Sequence, residues 1–365
     1  MKIALITYPL ETNPTGIGVN IQNIARNLIE LDRHNTYFLL HFTPNPNSIY
    51  NRNEILYRRY KGLPVMFSDS WYLYRNSSMF DIIHRFSPGG FLFKTQSKIV
   101  ITVNDLFLYK RYPFNKKTRN YLGRYFFRSS LKKAHAVIAI SNFTKMEILK
   151  TFGLDEGKLH VVHCAPGITP QNPNKAKAVL SSTYRIADSF ILMVSTIEPR
   201  KNILGMVKAY ERLIEHHLIK EHLVIVGKKG WDLENTLAYI NNSRHRDRIH
   251  LVGFVPTCDL AYFYQQASLF VYPSFMEGFG IPPLEAMQCG CPTLTSNTSS
   301  LPEIMLFPEM MFDPENINEI TDKCLRILTD AAFRLDNTAK GKENVNRFSW
   351  KESAKKLINV YNILL

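Results

Sequence analysis

Short apolar runs punctuate the first part of the chain at residues 1–7, 37–40, 82–83, 99–103 and 136–140, with polar or helical-period segments between most of them. Runs this short, without strict alternation, suit strands buried on both faces. Strands alternating with helices predict a mostly parallel sheet with helices on both sides. Residues 19–31 are amphipathic and follow Thr15-Gly16-Ile17-Gly18, so a glycine-rich turn is expected to feed a helix there. Such a turn suits close approach by a phosphate or sugar, and it is equally ordinary turn chemistry. Residues 165–189 are rich in proline, asparagine and serine and are read as a domain boundary. Beyond it the runs 190–194, 223–226, 249–255, 268–272 and 292–296 repeat the α/β pattern. The predicted organisation is a Rossmann-like domain over 1–168, a second over 169–348, and an amphipathic helix over 349–365.

Composition narrows the class. A chain of 365 residues is comfortable for two α/β domains, and 45% hydrophobic with 21% charged residues is a globular balance. The opening MKIALITYPL has the length of a buried strand and lacks a small-residue cleavage site, so it is read as a strand, and no segment reaches the roughly 20 apolar residues of a membrane span. A cytoplasmic protein is expected. The five cysteines, Cys164, Cys258, Cys289, Cys291 and Cys324, are scattered, which points to reduced thiols and no zinc site. The formal charge of +14 admits nucleic acid, an anionic membrane or phosphorylated small molecules as partners.

Two stretches carry candidate chemistry. Glu277 to Pro302 reads EGFGIPPLEAMQCGCPTLTSNTSSLP. Gly278 and Gly280 allow a tight turn, Pro282 and Pro283 suit the first helical turn, and Gly290 is a stop signal. Glu277 then precedes the helix and Glu285 lies about one turn inside it, so both carboxylates can face one pocket at a helix N-terminus, a natural seat for phosphate. The plain alternative is an ordinary strand, turn and helix with two surface glutamates. The other stretch, Ser195-Thr196-Ile197-Glu198-Pro199-Arg200-Lys201-Asn202, follows the run 190–194. Adjacent Arg200 and Lys201 at a strand's carboxyl end suit a diphosphate, or else form a basic loop held by surface ion pairs.

Other strand ends offer Asn104-Asp105 and Ser141-Asn142. Ser141 reads as a helix cap and His84 as a hydrogen-bonded structural residue. Basic and aromatic residues interleave between Asn51 and Arg75 and between Lys110 and Lys133. Such helices can lie on an anionic bilayer, grip a diphosphate-lipid head group, or be solvated faces, which leaves open a peripheral position at the inner face of the membrane. Nucleic acid ranks below these partners, since no recognised nucleic-acid-binding motif accompanies the charge.

The paired glutamates around Gly-Phe-Gly, the Pro-Pro-Leu-Glu-Ala-Met helix opening and the Glu-Pro-Arg-Lys-Asn string resemble the signature of glycosyltransferase family 4. Gly16-Ile17-Gly18, Asn104-Asp105-Leu106, Ser141-Asn142-Phe143-Thr144, Val226-Gly227, Val252-Gly253-Phe254-Val255 and Arg347-Phe348-Ser349-Trp350 agree in order; the match is loose in the first domain, notably over 43–80. The resemblance implies a GT-B fold: two Rossmann-like domains facing across a cleft, with the C-terminal helix crossing back to the first. It implies a retaining, metal-independent hexosyltransferase whose donor binds the second domain and whose acceptor binds mostly the first. Lys201 and Arg200 would neutralise the diphosphate, Glu285 take the ribose hydroxyls, and Glu277 contact the donor sugar. Gly278, Phe279 and Gly280, with Gly16 and Gly18, would hold sugar and phosphate.

Two departures stand out. Many relatives carry Gly-Arg at Ser195-Thr196, so Arg200 is expected to compensate, and many carry His-Asp at Asn104-Asp105. Asparagine takes no proton, so Asn104 is expected to hydrogen-bond a sugar hydroxyl and Asp105 to orient its loop. GDP-mannose is the first expected donor and a UDP-sugar the second, with a saccharide or lipid-linked saccharide as acceptor in cell-surface polysaccharide assembly. A nucleotide-sugar epimerase or hydrolase of the same fold, or a non-catalytic sugar-nucleotide-binding scaffold, are the alternatives.

Overall fold

The computed structural model describes residues 1–10, 16–43, 53–60, 65–87, 95–107, 121–217 and 219–365. Packing divides them between two units, one formed by Met1–Ala165 with Phe348–Leu365 and the other by Pro166–Arg347.

In chain order the first unit contains β1 (Lys2–Ile6), α1 (Gly16–Leu31), β2 (Thr36–His41), β3 (Glu54–Leu56), α2 (Val65–Asn76), β4 (Ile82–Arg85), β5 (Lys98–Val103), α3 (Tyr121–Lys133), β6 (Ala136–Ala139), α4 (Asn142–Phe152) and β7 (Leu159–Val161). All strand pairs are parallel, in the order β3-β2-β1-β4-β5-β6-β7. The central strands are apolar on both faces because helices cover both. Ser141 caps α4 by accepting the Thr144 amide at 3.0 Å, the role read for it from sequence.

The second unit contains α5 (Pro173–Tyr184), β8 (Phe190–Val194), α6 (Ile203–His217), β9 (His222–Val226), α7 (Glu234–Asn242), β10 (Ile249–Gly253), α8 (Thr257–Gln266), β11 (Leu269–Tyr272), α9 (Ile281–Gln288), β12 (Thr293–Ser296), α10 (Leu301–Met305), β13 (Met311–Phe312), α11 (Ile317–Thr329) and α12 (Ala331–Val345). Its sheet is again parallel, in the order β10-β9-β8-β11-β12-β13. The chain then returns to the first unit as α13 (Trp350–Ile363), which packs on α1. His84 of β4 is fully buried beneath it, with Nδ1 2.6 Å from the Tyr361 hydroxyl and Nε2 2.8 Å from that of Thr102. Burial pushes its pKa down to about 3, so it is a neutral structural ring.

Two readings need correction. The 165–189 segment is not only a connection, because it holds the twelve-residue α5, started by the Asn172 side chain on the Asn174 amide with Pro173 in the first turn. Gly16 and Gly18 do not form a loop ahead of a helix, since α1 already begins at Gly16 and buries Gly18. Thr15, like Lys61, Tyr109, Lys110, Arg111, Tyr112, Lys116, Lys117 and Arg119 of the basic-aromatic segments, lies outside the described residues. Among the described residues, no helix is long and apolar enough to cross a membrane.

Candidate functional site

In an open parallel sheet, ligands bind beyond the carboxyl ends of strands where the order reverses direction. In the second unit that switch point lies between β8 and β11. The residues leaving these two strands are 195–202, the charged string singled out above, and 273–280, which lead into the Glu277–Pro302 stretch; the Phe275 amide ties them together by donating to the Arg200 carbonyl at 2.8 Å.

Each residue of the Glu-Pro-Arg-Lys-Asn string has a local task. Pro199–Lys201 form one 3-10 turn, and Asn202 adopts the left-handed conformation at φ +54°. Its side chain accepts the Gly205 amide at 3.2 Å and donates to the Pro314 carbonyl at 2.8 Å, which starts α6 and anchors the turn. Glu198 accepts from Arg200 Nε through one oxygen and from Trp231 Nε1 at 3.0 Å through the other, so it fixes the guanidinium. Arg200 Nη1 reaches the Met276 carbonyl and Glu277 Oε2, each at 3.3 Å. Behind this loop, Gly227 has φ +148°, and a Cβ there would sit 1.9 Å from the Ser195 carbonyl oxygen. Only glycine admits that approach.

Lys201 is the centre of the arrangement. It is 6% exposed, donates to Glu277 Oε1 at 2.6 Å and to the Tyr272 hydroxyl at 3.0 Å, and lies 5.3 Å from the centroid of that ring. Burial works against both charges of the pair. For Glu277 the facing Lys201 and Arg200 outweigh it and hold the carboxyl below its ordinary value, whereas Lys201, buried and beside Arg200, is lowered despite Glu277. Two cations share the single charge of Glu277, which keeps it a carboxylate.

Serines fix the turn that presents Glu277. Ser299 Oγ accepts the Glu277 amide at 2.9 Å, and Ser300 Oγ donates to the carbonyls of Glu277 and Phe279 at 3.0 and 2.8 Å. Gly280 takes φ +119° immediately before α9, with α10 side chains occupying the place of a Cβ. The helix ends at Gln288, two residues short of the predicted stop, and Gly290 takes φ +77°.

Glu285 stands apart from Glu277 in its bonding. It is buried within α9, accepts the Gly167 amide at 3.3 Å and the Tyr264 hydroxyl at 3.1 Å, and burial raises its pKa to about 7 against those two bonds. In the first unit, Asn104 donates to the Phe86 carbonyl at 2.9 Å and accepts from Asn20 at 3.5 Å, and Asp105 accepts the Phe107 amide at 3.0 Å. Both side chains follow β5, and these bonds shape the local loop and its link to α1.

The structure therefore brings Lys201, Arg200, Glu277 and the Gly278-Phe279-Gly280 turn together at one switch point. Trp231, Tyr272, Ser299 and Ser300 complete it, Tyr264 holds Glu285, and none of these five was given a role from sequence; Glu198 lay within the charged string but had no task assigned. Tyr272, a polar ring ending an apolar strand, carried the clearest missed signal. All five cysteines are free thiols, and among the described residues no three His, Cys, Asp or Glu side chains are placed to hold a metal ion.

Comparison with known proteins adds an independent line. Residues 14–165 match the family described as Glycosyltransferase Family 4, and residues 184–344 match Glycosyl transferases group 1. The chain is 31% identical over 279 residues to O-antigen chain mannosyltransferase B of Escherichia coli, covering 76% of this chain and 73% of that protein. It is 32% identical over 282 residues to the serotype-specific mannosyltransferase WbdA of E. coli, where 73% of this chain matches only 34% of the longer relative. Among solved structures, sucrose-phosphate synthase (tll1590) from Thermosynechococcus elongatus superposes with a TM-score of 0.81 at 19% identity, over 100% of this chain and 99% of that one.

Proposed function

The chain belongs to glycosyltransferase family 4, a retaining enzyme with the GT-B fold, and from that premise we propose that it transfers mannose from GDP-mannose to a saccharide or lipid-linked saccharide in cell-surface polysaccharide assembly. The observation that carries the reading is the buried Lys201–Glu277 pair with the half-buried Arg200 beside it, at the β8/β11 switch point and directly ahead of α9. A buried lysine and a half-buried arginine beside a helix N-terminus are a fitting seat for a diphosphate leaving group. The mannose assignment is supported by the likeness to O-antigen chain mannosyltransferase B.

Under this reading Lys201 and Arg200 turn part of their charge from Glu277 to the two phosphates, and the amides around Phe279 and Gly280 add donors. Glu277 is then free to accept from donor-sugar hydroxyls, and Glu285 accepts from the ribose diol. Asn104 hydrogen-bonds a sugar hydroxyl, Asp105 orients the loop after β5, and Gly16 and Gly18 let α1 approach the ligand. The acceptor hydroxyl attacks the anomeric carbon on the face the phosphate leaves. Its oxygen bonds to that carbon as the carbon–phosphate-oxygen bond breaks, and the departing phosphate oxygen takes its proton. The protein supplies geometry and charge stabilisation for this step.

The test is a thermal-stabilisation screen with GDP, UDP and dTDP, followed by product analysis with the sugar donor of the stabilising base. GDP should stabilise most, and GDP-mannose should yield an α-mannoside only with a saccharide acceptor present. Stabilisation by UDP alone would replace the mannose assignment with a UDP-sugar. Nucleotide release independent of acceptor would identify a hydrolase, and no turnover despite binding would identify a scaffold.

A further inference from the structure

Strand β11 reads LFVY and so ends in a polar ring. Phe270 and Tyr272 point to one face, as the period of a strand requires, and their rings stack at 20° with centroids 5.9 Å apart. The Tyr272 ring belongs to the core, 2% exposed, and a phenylalanine would fill that place equally well. Packing therefore gives no reason for the hydroxyl, and a buried hydroxyl needs a partner. It accepts from Lys201 Nζ at 3.0 Å. Burial, with the Glu277 carboxylate close by, raises its pKa well above the ordinary value, so the group stays a neutral hydroxyl.

Lys201 is thereby tethered at both ends. Its backbone closes the Pro199–Lys201 turn, and its ammonium is held by Glu277 at 2.6 Å and by Tyr272. These two partners differ in kind. Glu277 neutralises the ammonium and competes with a phosphate for it, whereas Tyr272 fixes its position and leaves the charge intact. An ammonium has three N–H donors, so Lys201 can meet a phosphate oxygen without giving up Tyr272. Arg200 likewise has an anchor apart from Glu277, since Glu198 holds its Nε while its Nη1 reaches Glu277 Oε2 at 3.3 Å. Glu277 is the counter-ion common to both cations, and Tyr272 and Glu198 each serve one.

We infer that Tyr272 is the positioning residue for Lys201: its hydroxyl keeps the ammonium in place while Glu277 turns from the cations to the donor sugar. The inference rests on the proposed reading of this site as a diphosphate seat, and it names the residue that readies the seat. A lysine side chain gives up much rotamer freedom when it is held, so an ammonium already held binds phosphate at lower entropic cost. Without the hydroxyl, Lys201 closes on Glu277, and the incoming diphosphate must part that pair before it meets an ordered cation.

The test is titration calorimetry of the wild type and Tyr272→Phe with GDP and with UDP across pH. Removing one hydrogen bond from a charged donor should weaken binding about tenfold. The pH profile separates positioning from mere packing. Burial lowers the Lys201 pKa, with Glu277 and Glu198 opposing and Arg200 reinforcing it. The protonated ammonium is the form that attracts phosphate, so affinity falls as pH rises through that pKa. In Tyr272→Phe the fall should begin at lower pH, because the hydroxyl no longer favours the charged form. Ionisation of the nucleotide is common to both proteins and cancels in the ratio of affinities. Phenylalanine keeps the ring against Phe270, and a binding stoichiometry equal to that of the wild type shows the fold intact. Unchanged affinity, or weaker affinity with an unshifted pH profile, would overturn the inference while leaving the diphosphate seat standing. No binding of either nucleotide by the wild type would overturn the reading of the site, and the inference with it.

Discussion

Lys201→Ala tests the buried charge group through stability alone. The substitution leaves Glu277, 5% exposed, with Arg200 at 3.3 Å in place of the 2.6 Å partner it loses. Removing one member of a buried pair costs about 3–5 kcal/mol, chiefly because the remaining charge is poorly compensated. For a folding unit of 150–250 residues each kcal/mol shifts the melting temperature by about 2–4 °C, so a fall of roughly 6–20 °C is expected. Lys201→Ala combined with Glu277→Ala removes both charges and should melt above Lys201→Ala alone. Differential scanning calorimetry of the wild type, both single variants and the double variant measures the coupling as a double-mutant cycle. Strictly additive losses, with the double variant the least stable of the four, would refute the reasoning.

Three further outcomes follow from the site. Arg200→Ala should weaken nucleoside-diphosphate binding about ten- to hundredfold by calorimetry, the loss of one or two charge-assisted hydrogen bonds, and unchanged affinity would confine Arg200 to its contacts with Glu198 and Glu277. Glu285 is raised by burial from its ordinary 4.5 to about 7, so the folded state holds this proton more tightly, and the associated stability is full below about pH 4.5 and is lost as pH rises through about 7. Glu285→Gln should therefore remove about 3 kcal/mol of the decline in stability between pH 5 and pH 8, and a pH-independent difference between variant and wild type would contradict this. Gly227→Ala places a Cβ 1.9 Å from the Ser195 carbonyl oxygen and should cost at least about 2 kcal/mol in denaturant melts, with weakened nucleotide binding because the 195–202 loop must move; a change within about 0.5 kcal/mol would show that the loop yields freely.

The central strands were legible because they are buried on both faces and read as unbroken apolar runs; β8 occupies the predicted residues 190–194. Strands β3, β7 and β13 were not, since two or three residues show no period and are placed by pairing at the sheet edges. Helix α5 was hidden by composition, although Asn172 and Pro173 are a start signal and the following Ala-Lys-Ala-Val-Leu carries apolar residues at helical spacing. Glycine at 16 and 18 suggested a loop because its propensity argues against a helix interior, and packing of α1 against α13 overrode that preference.

At the site, the charged string and the glutamate pair were visible as local words. Their partners were not, because Trp231 meets Glu198 across 33 positions and Tyr272 meets Lys201 across 71, through the parallel strand order. The exposed Trp71 and Tyr74 of α2 were likewise visible only as part of an interleaved basic and aromatic segment.

A crystal structure of the chain soaked with GDP-mannose tests the central claim most directly. The account predicts both phosphates within about 2.7–3.2 Å of Lys201 Nζ, the Arg200 guanidinium or the amides opening α9, with Glu277 turned to the hexose and Glu285 to the ribose. A nucleotide bound elsewhere, or phosphates remote from a Lys201 still committed to Glu277 and Tyr272, would contradict it.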